Sequence, residues 1–89
     1  MDHMDANKKK TILDVRTRGE YNMGHIEGAV NIPVDEVSDR LDEIRQMPAP
    51  LVAYCRSGNR SGMAVKILQD HGIMDVINGG SMEQMNQLS

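Results

Sequence analysis

The sequence has one cysteine, two tyrosines and neither phenylalanine nor tryptophan among its 89 residues. One cysteine cannot form an internal disulfide, so nothing in the chain requires an oxidising compartment. Without large aromatics, the eight methionines are expected to fill core volume, because methionine adapts to irregular gaps. No apolar run reaches membrane-spanning length and no secretory signal is visible, so no membrane partner is expected. The sequence favours a cytoplasmic protein, or a periplasmic one whose signal has been removed.

Excess positive charge is also lacking, since the formal net charge is −3 with the two signs interspersed. Nucleic acids are bound mainly through neutralised phosphates, so no nucleic-acid partner is expected. The one basic run, Lys8-Lys9-Lys10, precedes the first apolar segment and is interpreted as solvated. Residues 1–10 are therefore expected to be a disordered lead-in or a cloning remnant, and residues 11–89 to form one domain.

Four apolar segments predict β-strands, at residues 11–15, 28–33, 51–55 and 74–78. The first and third segments are nearly continuous, which is typical of strands in a parallel sheet that is covered on both faces.

Helical segments alternate with these strands. Residues 34–47 place Val37, Leu41 and Ile44 on one face of a helix, and a second helix is predicted over residues 60–71. Short helices are expected at residues 17–22 and 83–88. The alternation predicts an α/β fold, a small parallel sheet of four to five strands flanked by helices on both faces.

The cysteine begins the segment Cys-Arg-Ser-Gly-Asn-Arg-Ser at residues 55–61. This segment joins the carboxyl end of the third predicted strand to a helix, which is where ligands bind in open α/β sheets. A loop turning at Gly58 would aim main-chain N–H groups inward, and the helix amino terminus adds further donors. Arg56 and Arg60 add two cations, Ser57 and Ser61 add hydroxyls, and Ser61 is also a candidate helix cap. Cys55 is the candidate nucleophile, and the candidate anion-binding residues are Arg56, Ser57, Gly58, Asn59, Arg60 and Ser61.

All of these features favour the thiolate of Cys55. A cysteine at a helix start beside cations can have its pKa lowered from about 8.5 to roughly 3.5–7.5. Cysteine phosphatases use a comparable loop, but with five residues between cysteine and arginine. Here four residues separate Cys55 from Arg60, Ser61 stands where a phosphatase needs arginine, and Tyr54 stands where those enzymes usually place histidine. The shorter loop favours a persulfide, whose outer sulfur would accept the inward N–H groups.

The loop resembles the active loop of rhodanese-domain sulfurtransferases. Residues 13–33, LDVRTRGEYNMGHIEGAVNIP, and residues 76–80, VINGG, are similar to two further motifs of that family. The resemblance implies that Cys55 takes sulfur from thiosulfate or a similar anionic donor and forms a persulfide. The sulfur then passes to cyanide, a thiol or a protein persulfide partner. It also implies that the amides of residues 56–61 stabilise the persulfide, that Arg60, with Arg56 at the rim, holds the donor, and that no metal or organic cofactor takes part.

The other signature residues are expected to be structural, namely Asp14, Arg16, Glu20 and His25. Two departures from the family are expected. Ten residues without an apolar pattern stand before Thr11, where family domains usually carry another strand and helix, and the residues after the glycine pair include no aromatic. Thin sheet edges are therefore expected, in a monomer or weak homodimer resembling small bacterial sulfurtransferases. A cysteine phosphatase, an arsenate reductase and a non-catalytic rhodanese-like binding module stay open as alternatives.

Overall fold

The computed structural model describes residues 10–88, so the predicted lead-in lies outside the described residues except for Lys10. In chain order the elements are β1 (Thr11–Asp14), α1 (Arg18–Asn22), β2 (Val30–Asn31), a 3₁₀ helix (Val34–Asp39), α2 (Leu41–Arg45), β3 (Leu51–Cys55), α3 (Asn59–Asp70), β4 (Val76–Ser81) and α4 (Met82–Leu88). Every strand pairing in this part of the chain is parallel. The predicted α/β fold is confirmed, with four strands over residues 10–88. None of the helices described there is long and apolar enough to cross a membrane.

The strand order is β2-β1-β3-β4, so β1 and β3 are the central strands and β2 and β4 are the edge strands. Strand order reverses between β1 and β3. In open α/β sheets the crevice at such a reversal, beyond the carboxyl ends of the strands, is the usual ligand site. Cys55 is the last residue of β3 and therefore lies at this crevice.

The first face of the sheet carries the main core. The 3₁₀ helix, α2 and α3 cover it, with Val37 and Ile44 packing from the first two and Leu68 from the third. The buried apolar residues of this face and its helices are Leu13, Val15, Ile32, Val37, Ile44, Leu51, Ala53, Cys55, Ala64, Leu68 and Val76. Alternate residues of β1 and β3 supply this face, as the period of a strand requires.

The second face is covered less completely. Its buried cluster consists of Ala29, Tyr54 and Met85, with Ile12 and Val52 only partly buried against it. Ile77 of the edge strand β4 is 57% exposed. The helices α1 and α4 are short, at five and seven residues. The expectation of helices on both faces is met, but the two faces are unequal.

The single helix predicted over residues 34–47 is wrong. A 3₁₀ helix and α2 replace it, separated by Arg40 at φ −124° and ψ 27°. Both short helices still turn an apolar residue, Val37 or Ile44, into the same core. Strand β4 also begins and ends later than predicted, because it continues through the glycine pair to Ser81.

Candidate active site

The loop that follows β3 reverses through Gly58, which adopts the left-handed conformation with φ +97°. Only glycine takes this conformation without strain, and a Cβ here would also lie 3.5 Å from the Cα of Gly80. Gly58 is the N-cap of α3, so only residues 56–58 separate the strand from the helix. The tight turn directs the first N–H groups of α3 back toward the end of β3.

The sulfur of Cys55 accepts hydrogen bonds from N–H groups of the turn and of the first turn of α3. Its Sγ accepts hydrogen bonds from the N–H of Gly58 at 3.0 Å and of Ser61 at 3.4 Å. The first N–H groups of a helix have no partner within the helix, and the N-cap Gly58 has no side chain to supply one. The sulfur therefore occupies the acceptor position that a capping side chain would fill. Cys55 is fully buried, with 0% of its surface exposed.

Two effects oppose each other at the Cys55 thiol. Burial raises its pKa, whereas the Ser61 hydroxyl and the N–H groups of Ser61, Ser57 and Gly58 lower it. The donors outweigh burial and bring the pKa from 9.0 to about 7. A large fraction of Cys55 is therefore thiolate at neutral pH, and the thiolate is the nucleophilic form of cysteine.

The guanidinium of Arg60 is bound to the carboxylate of Glu20. The pair is bidentate, with Nη1 2.7 Å from Oε1 and Nη2 3.0 Å from Oε2. Glu20 is held in place because it also closes a capping box with Thr17 at the start of α1. The pKa of Glu20 is lowered to about 2, mainly by the hydrogen bonds from Arg60 and next by the one from the Thr17 N–H. Both terminal nitrogens of Arg60 thus donate to a carboxylate of the protein, and the expectation that Arg60 holds an anionic donor stays a prediction.

The remaining loop residues lie nearer to solvent. Arg56 is exposed, and within residues 10–88 it forms no ion pair. The hydroxyl of Ser57 accepts a hydrogen bond from the N–H of Asn59 at 3.4 Å. Among the described residues, Arg56 is therefore the loop arginine whose charge no ion pair compensates.

Ser61 does not cap α3 through its side chain, contrary to expectation. Its Oγ lies 3.4 Å from Cys55 Sγ and donates to Asn78 Oδ1 at 2.6 Å. Asn78, on the neighbouring strand β4, also donates from Nδ2 to the carbonyl of Gly58 at 3.1 Å. Sequence reasoning missed Asn78. The available signal was a polar residue directly before a glycine pair at the carboxyl end of a strand.

A buried polar network supports the site from behind β1. Asp14 forms an ion pair with Arg16 at 2.6 Å and accepts a hydrogen bond from the Tyr54 hydroxyl, also at 2.6 Å. Arg16 extends the network to the carbonyl of Gly24 at 2.7 Å. Burial first, and then Asp14, raise the pKa of Tyr54 to about 12. Tyr54 is therefore a neutral hydrogen-bond donor. The network of Asp14, Arg16 and Tyr54 holds the main chain that follows β1 in position.

His25 lies in the turn before β2, where it is exposed. Its ring stacks on Tyr21 with centroids 3.7 Å apart, and its Nδ1 lies 2.9 Å from the carbonyl of Tyr21. The structure thus places His25 in a local contact at the end of α1.

The chain is similar to known proteins in sequence and in fold. Residues 1–86 match the family described as Rhodanese-like domain. The putative sulfur carrier protein YrkF of Bacillus subtilis is 39% identical over 75 residues, which cover 84% of this chain and 40% of that protein. The thiosulfate sulfurtransferase PspE of Escherichia coli is 34% identical over 74 residues, which cover 82% of this chain and 71% of that protein.

A solved structure described as rhodanese with anions from E. coli superposes with a TM-score of 0.76 at 33% identity. The alignment covers 84% of this chain and 89% of that one. The chain spans well under two thirds of YrkF, so similarity to that relative concerns one part of a longer protein. The family match nevertheless extends over nearly all residues of this chain. The chain therefore belongs to the rhodanese-like family of sulfurtransferases.

Proposed function

We propose that Cys55 carries sulfur as a persulfide, which it receives from thiosulfate or a similar anionic donor. The observation that carries this proposal is the contact of Cys55 Sγ with the N–H groups of Gly58 and Ser61 at the start of α3. Together with the Ser61 hydroxyl and the N–H of Ser57, these donors lower the pKa of the thiol to about 7 despite burial, so a nucleophile is present at neutral pH.

The reaction has two displacements. The Cys55 thiolate attacks the outer sulfur of thiosulfate, the S–S bond breaks, and sulfite leaves with the bonding electron pair. An acceptor such as cyanide or a thiolate then attacks the outer sulfur of the persulfide, and Cys55 leaves as thiolate. The products are thiocyanate or an acceptor persulfide, and such a covalent intermediate gives ping-pong kinetics.

Arg56 is proposed to attract the donor. It is the loop cation without an ion pair among the described residues, whereas Arg60 is bound to Glu20. This assignment also disfavours a phosphatase, because a phosphate-binding loop needs its arginine free to form a fork with the anion. The similarity to a putative sulfur carrier supports a protein thiol as one class of acceptor.

Intact mass spectrometry tests the proposal directly. After incubation with thiosulfate, the protein should gain the mass of one sulfur atom, and cyanide should remove it with release of thiocyanate. Cys55→Ser should show no gain. A folded protein with a titratable thiol that takes sulfur from neither thiosulfate nor polysulfide would overturn the proposal. Turnover of an aryl phosphate would favour the phosphatase alternative.

The same assay tests Arg56. Arg56→Ala should lower kcat/KM for thiosulfate by about fivefold, and raising the salt concentration should shrink the difference, because the cation acts through an exposed charge. Lys66→Ala is the matched control, since Lys66 is an exposed cation further along α3. If both variants lost kcat/KM equally, the loss would follow from net charge alone, which would contradict a specific role for Arg56.

A further inference from the structure

The Asn78 side chain lies between β4 and the active loop and makes three hydrogen bonds there. Its Oδ1 accepts from the N–H of Gly80 at 2.9 Å and from the Ser61 hydroxyl at 2.6 Å. Its Nδ2 donates to the carbonyl of Gly58 at 3.1 Å. An irregularity in the sheet accompanies this placement, because Ala53 pairs with Asn78 but the next residue pairs with Gly80. Bulges of this kind commonly re-aim a side chain beside an active site.

The orientation of the Asn78 amide is fixed by main-chain groups. The N–H of Gly80 can only donate and the carbonyl of Gly58 can only accept, so the amide oxygen must face Gly80 and the nitrogen must face Gly58. The oxygen that meets Ser61 Oγ is consequently an acceptor without a hydrogen. Ser61 must donate its only hydroxyl hydrogen to make this contact.

The hydrogen bond from Ser61 to Asn78 determines which part of the Ser61 hydroxyl faces the sulfur of Cys55. With its hydrogen on Asn78, Ser61 Oγ presents lone pairs to Cys55 Sγ at 3.4 Å. It can then accept the S–H of the thiol, but it can donate to the thiolate, and so lower the pKa of Cys55, only by leaving Asn78. We propose that Asn78 is a positioning residue that competes with the Cys55 sulfur for the hydroxyl hydrogen of Ser61. The inference deepens the proposed function, on which its catalytic meaning rests.

As a consequence, the pKa of Cys55 is not lowered as far as the surrounding donors would allow. A thiolate that accepts a hydrogen bond from every available donor is highly populated, but it is a weak nucleophile, because nucleophilicity falls as the thiol pKa falls. The best attacking thiol has a pKa near the ambient pH. By competing for the Ser61 hydrogen, Asn78 limits how far that hydroxyl lowers the pKa of Cys55. The N–H groups of Gly58 and Ser61 still stabilise the thiolate.

The other charged groups around this centre stay the same when Asn78 or Ser61 is replaced. On the elements packed against the loop they are Arg60 of α3 with Glu20 of α1, Arg16 with Asp14 of β1, Arg18 of α1 with Glu36 of the 3₁₀ helix, Arg56 of the loop and Glu83 of α4, and the neutral Tyr54 of β3 is also titratable. Strand β4 carries no titratable side chain. A changed titration of Cys55 in the alanine variants below therefore reports the removed contacts of Ser61 and Asn78 and not a change in another charged group.

A double-mutant cycle tests the inference, with the rate of Cys55 alkylation by iodoacetamide measured against pH. Asn78→Ala should shift the midpoint of this profile downward by about half a pH unit, because the Ser61 hydroxyl becomes free to donate to the thiolate. In the Ser61→Ala background, Asn78→Ala should produce no downward shift. Asn22→Ala, at the exposed end of α1, is the control and should leave the midpoint unchanged.

A merely structural role predicts the opposite pattern. Loss of the bond from Asn78 to the Gly58 carbonyl would loosen the donors and raise the midpoint equally in both backgrounds, which would overturn the inference. Asn78→Asp is a second variant that keeps the shape of the side chain. It should raise the midpoint, and by less in the Ser61→Ala background; an equal rise would show charge alone and also overturn it. Alkylation needs no sulfur donor, so these results stand apart from whether thiosulfate loads the protein.

Discussion

At Cys55, the Ser61 hydroxyl and main-chain N–H groups lower the pKa of the thiol, and no neighbouring cation is among the main causes. The N–H groups of Gly58 and Ser61 contact the sulfur, whereas the charge of Arg60 is compensated by Glu20. A helix amino terminus offers such donors without any side chain having to be ordered. The pair of Arg60 with Glu20 has another effect, since it ties α1 to the first turn of α3 across the active loop.

This pair should contribute stability that depends on pH. The folded-state pKa of Glu20, about 2, lies below its ordinary value of 4.5. A lowered carboxyl pKa contributes stability that is fully present above the ordinary value and is lost as pH falls toward the folded value. Glu20→Gln should therefore cost about 1 kcal/mol at neutral pH, and the cost should vanish as the pH approaches about 2. Urea unfolding of both proteins across this range measures the difference.

Glu43→Gln is the control for this prediction. Glu43 also pairs with an arginine, Arg40, but its side chain is 48% exposed. Pairs of that kind contribute between zero and about 1 kcal/mol, so the control should cost less. A cost of Glu20→Gln that stayed constant down to low pH would show that the carboxyl acts through packing and not through its charge.

At the scale of elements, sequence patterns located the strands and helices better than they located their ends. The continuous apolar runs of β1 and β3 predicted a parallel sheet, because only strands buried on both faces carry such runs. The division of residues 34–47 could not be read from the sequence. Val37 and Ile44 reach the core from one long helix or from two short ones, so the apolar spacing fits both.

The N–H contacts of the active loop with the sulfur were predictable because they are local in sequence. Cys55, Gly58 and Ser61 are close in sequence, and a strand-to-helix turn brings the helix N–H groups to the sulfur. The contacts of Asn78 and Glu20 with this loop were not predictable. They depend on the packing of β4 and α1 beside α3, over separations of 17 and 40 residues.

The connection between β4 and α4 predicts a backbone requirement at Gly80. Its φ is +89°, and a Cβ there would collide with the side-chain amide of Gln84, which accepts from the N–H of Ser81 at 2.8 Å. Gly80→Ala should cost about 2 kcal/mol of unfolding free energy in urea titrations, from the left-handed conformation and the broken contact. It should also disturb the N–H that Gly80 donates to Asn78.

Gly19→Ala provides the contrast. Gly19 lies within α1, and a Cβ there would meet nothing closer than Thr17 Oγ1 at 3.9 Å. Alanine favours a helix over glycine by about 1 kcal/mol, so this variant should be neutral or stabilised. Equal behaviour of the two variants would mean that the β4–α4 connection adapts freely and does not need glycine at residue 80.

At the scale of the whole molecule, the two faces of the sheet are packed to different extents. The first face packs against the 3₁₀ helix, α2 and α3 with fully buried side chains. The second face has a groove of about 550 Å³, lined by Ile12, Val52 and Ile77 among others. The active loop lies at the carboxyl end of β3 and uses α3 from the first face, so its geometry depends mainly on the better-packed side.

Consecutive residues of β1 test this asymmetry, because Leu13 faces the first core and Ile12 the second. Leu13→Ala should cost about 3 kcal/mol of unfolding free energy, since its side chain is 0% exposed and leaves a cavity. Ile12→Ala should cost about 1 kcal/mol, because the native side chain is only partly buried. Equilibrium urea unfolding measures both. Equal costs would mean that the second face is covered in solution, and an unfolding midpoint that rises with protein concentration would identify a second copy of the chain as the cover.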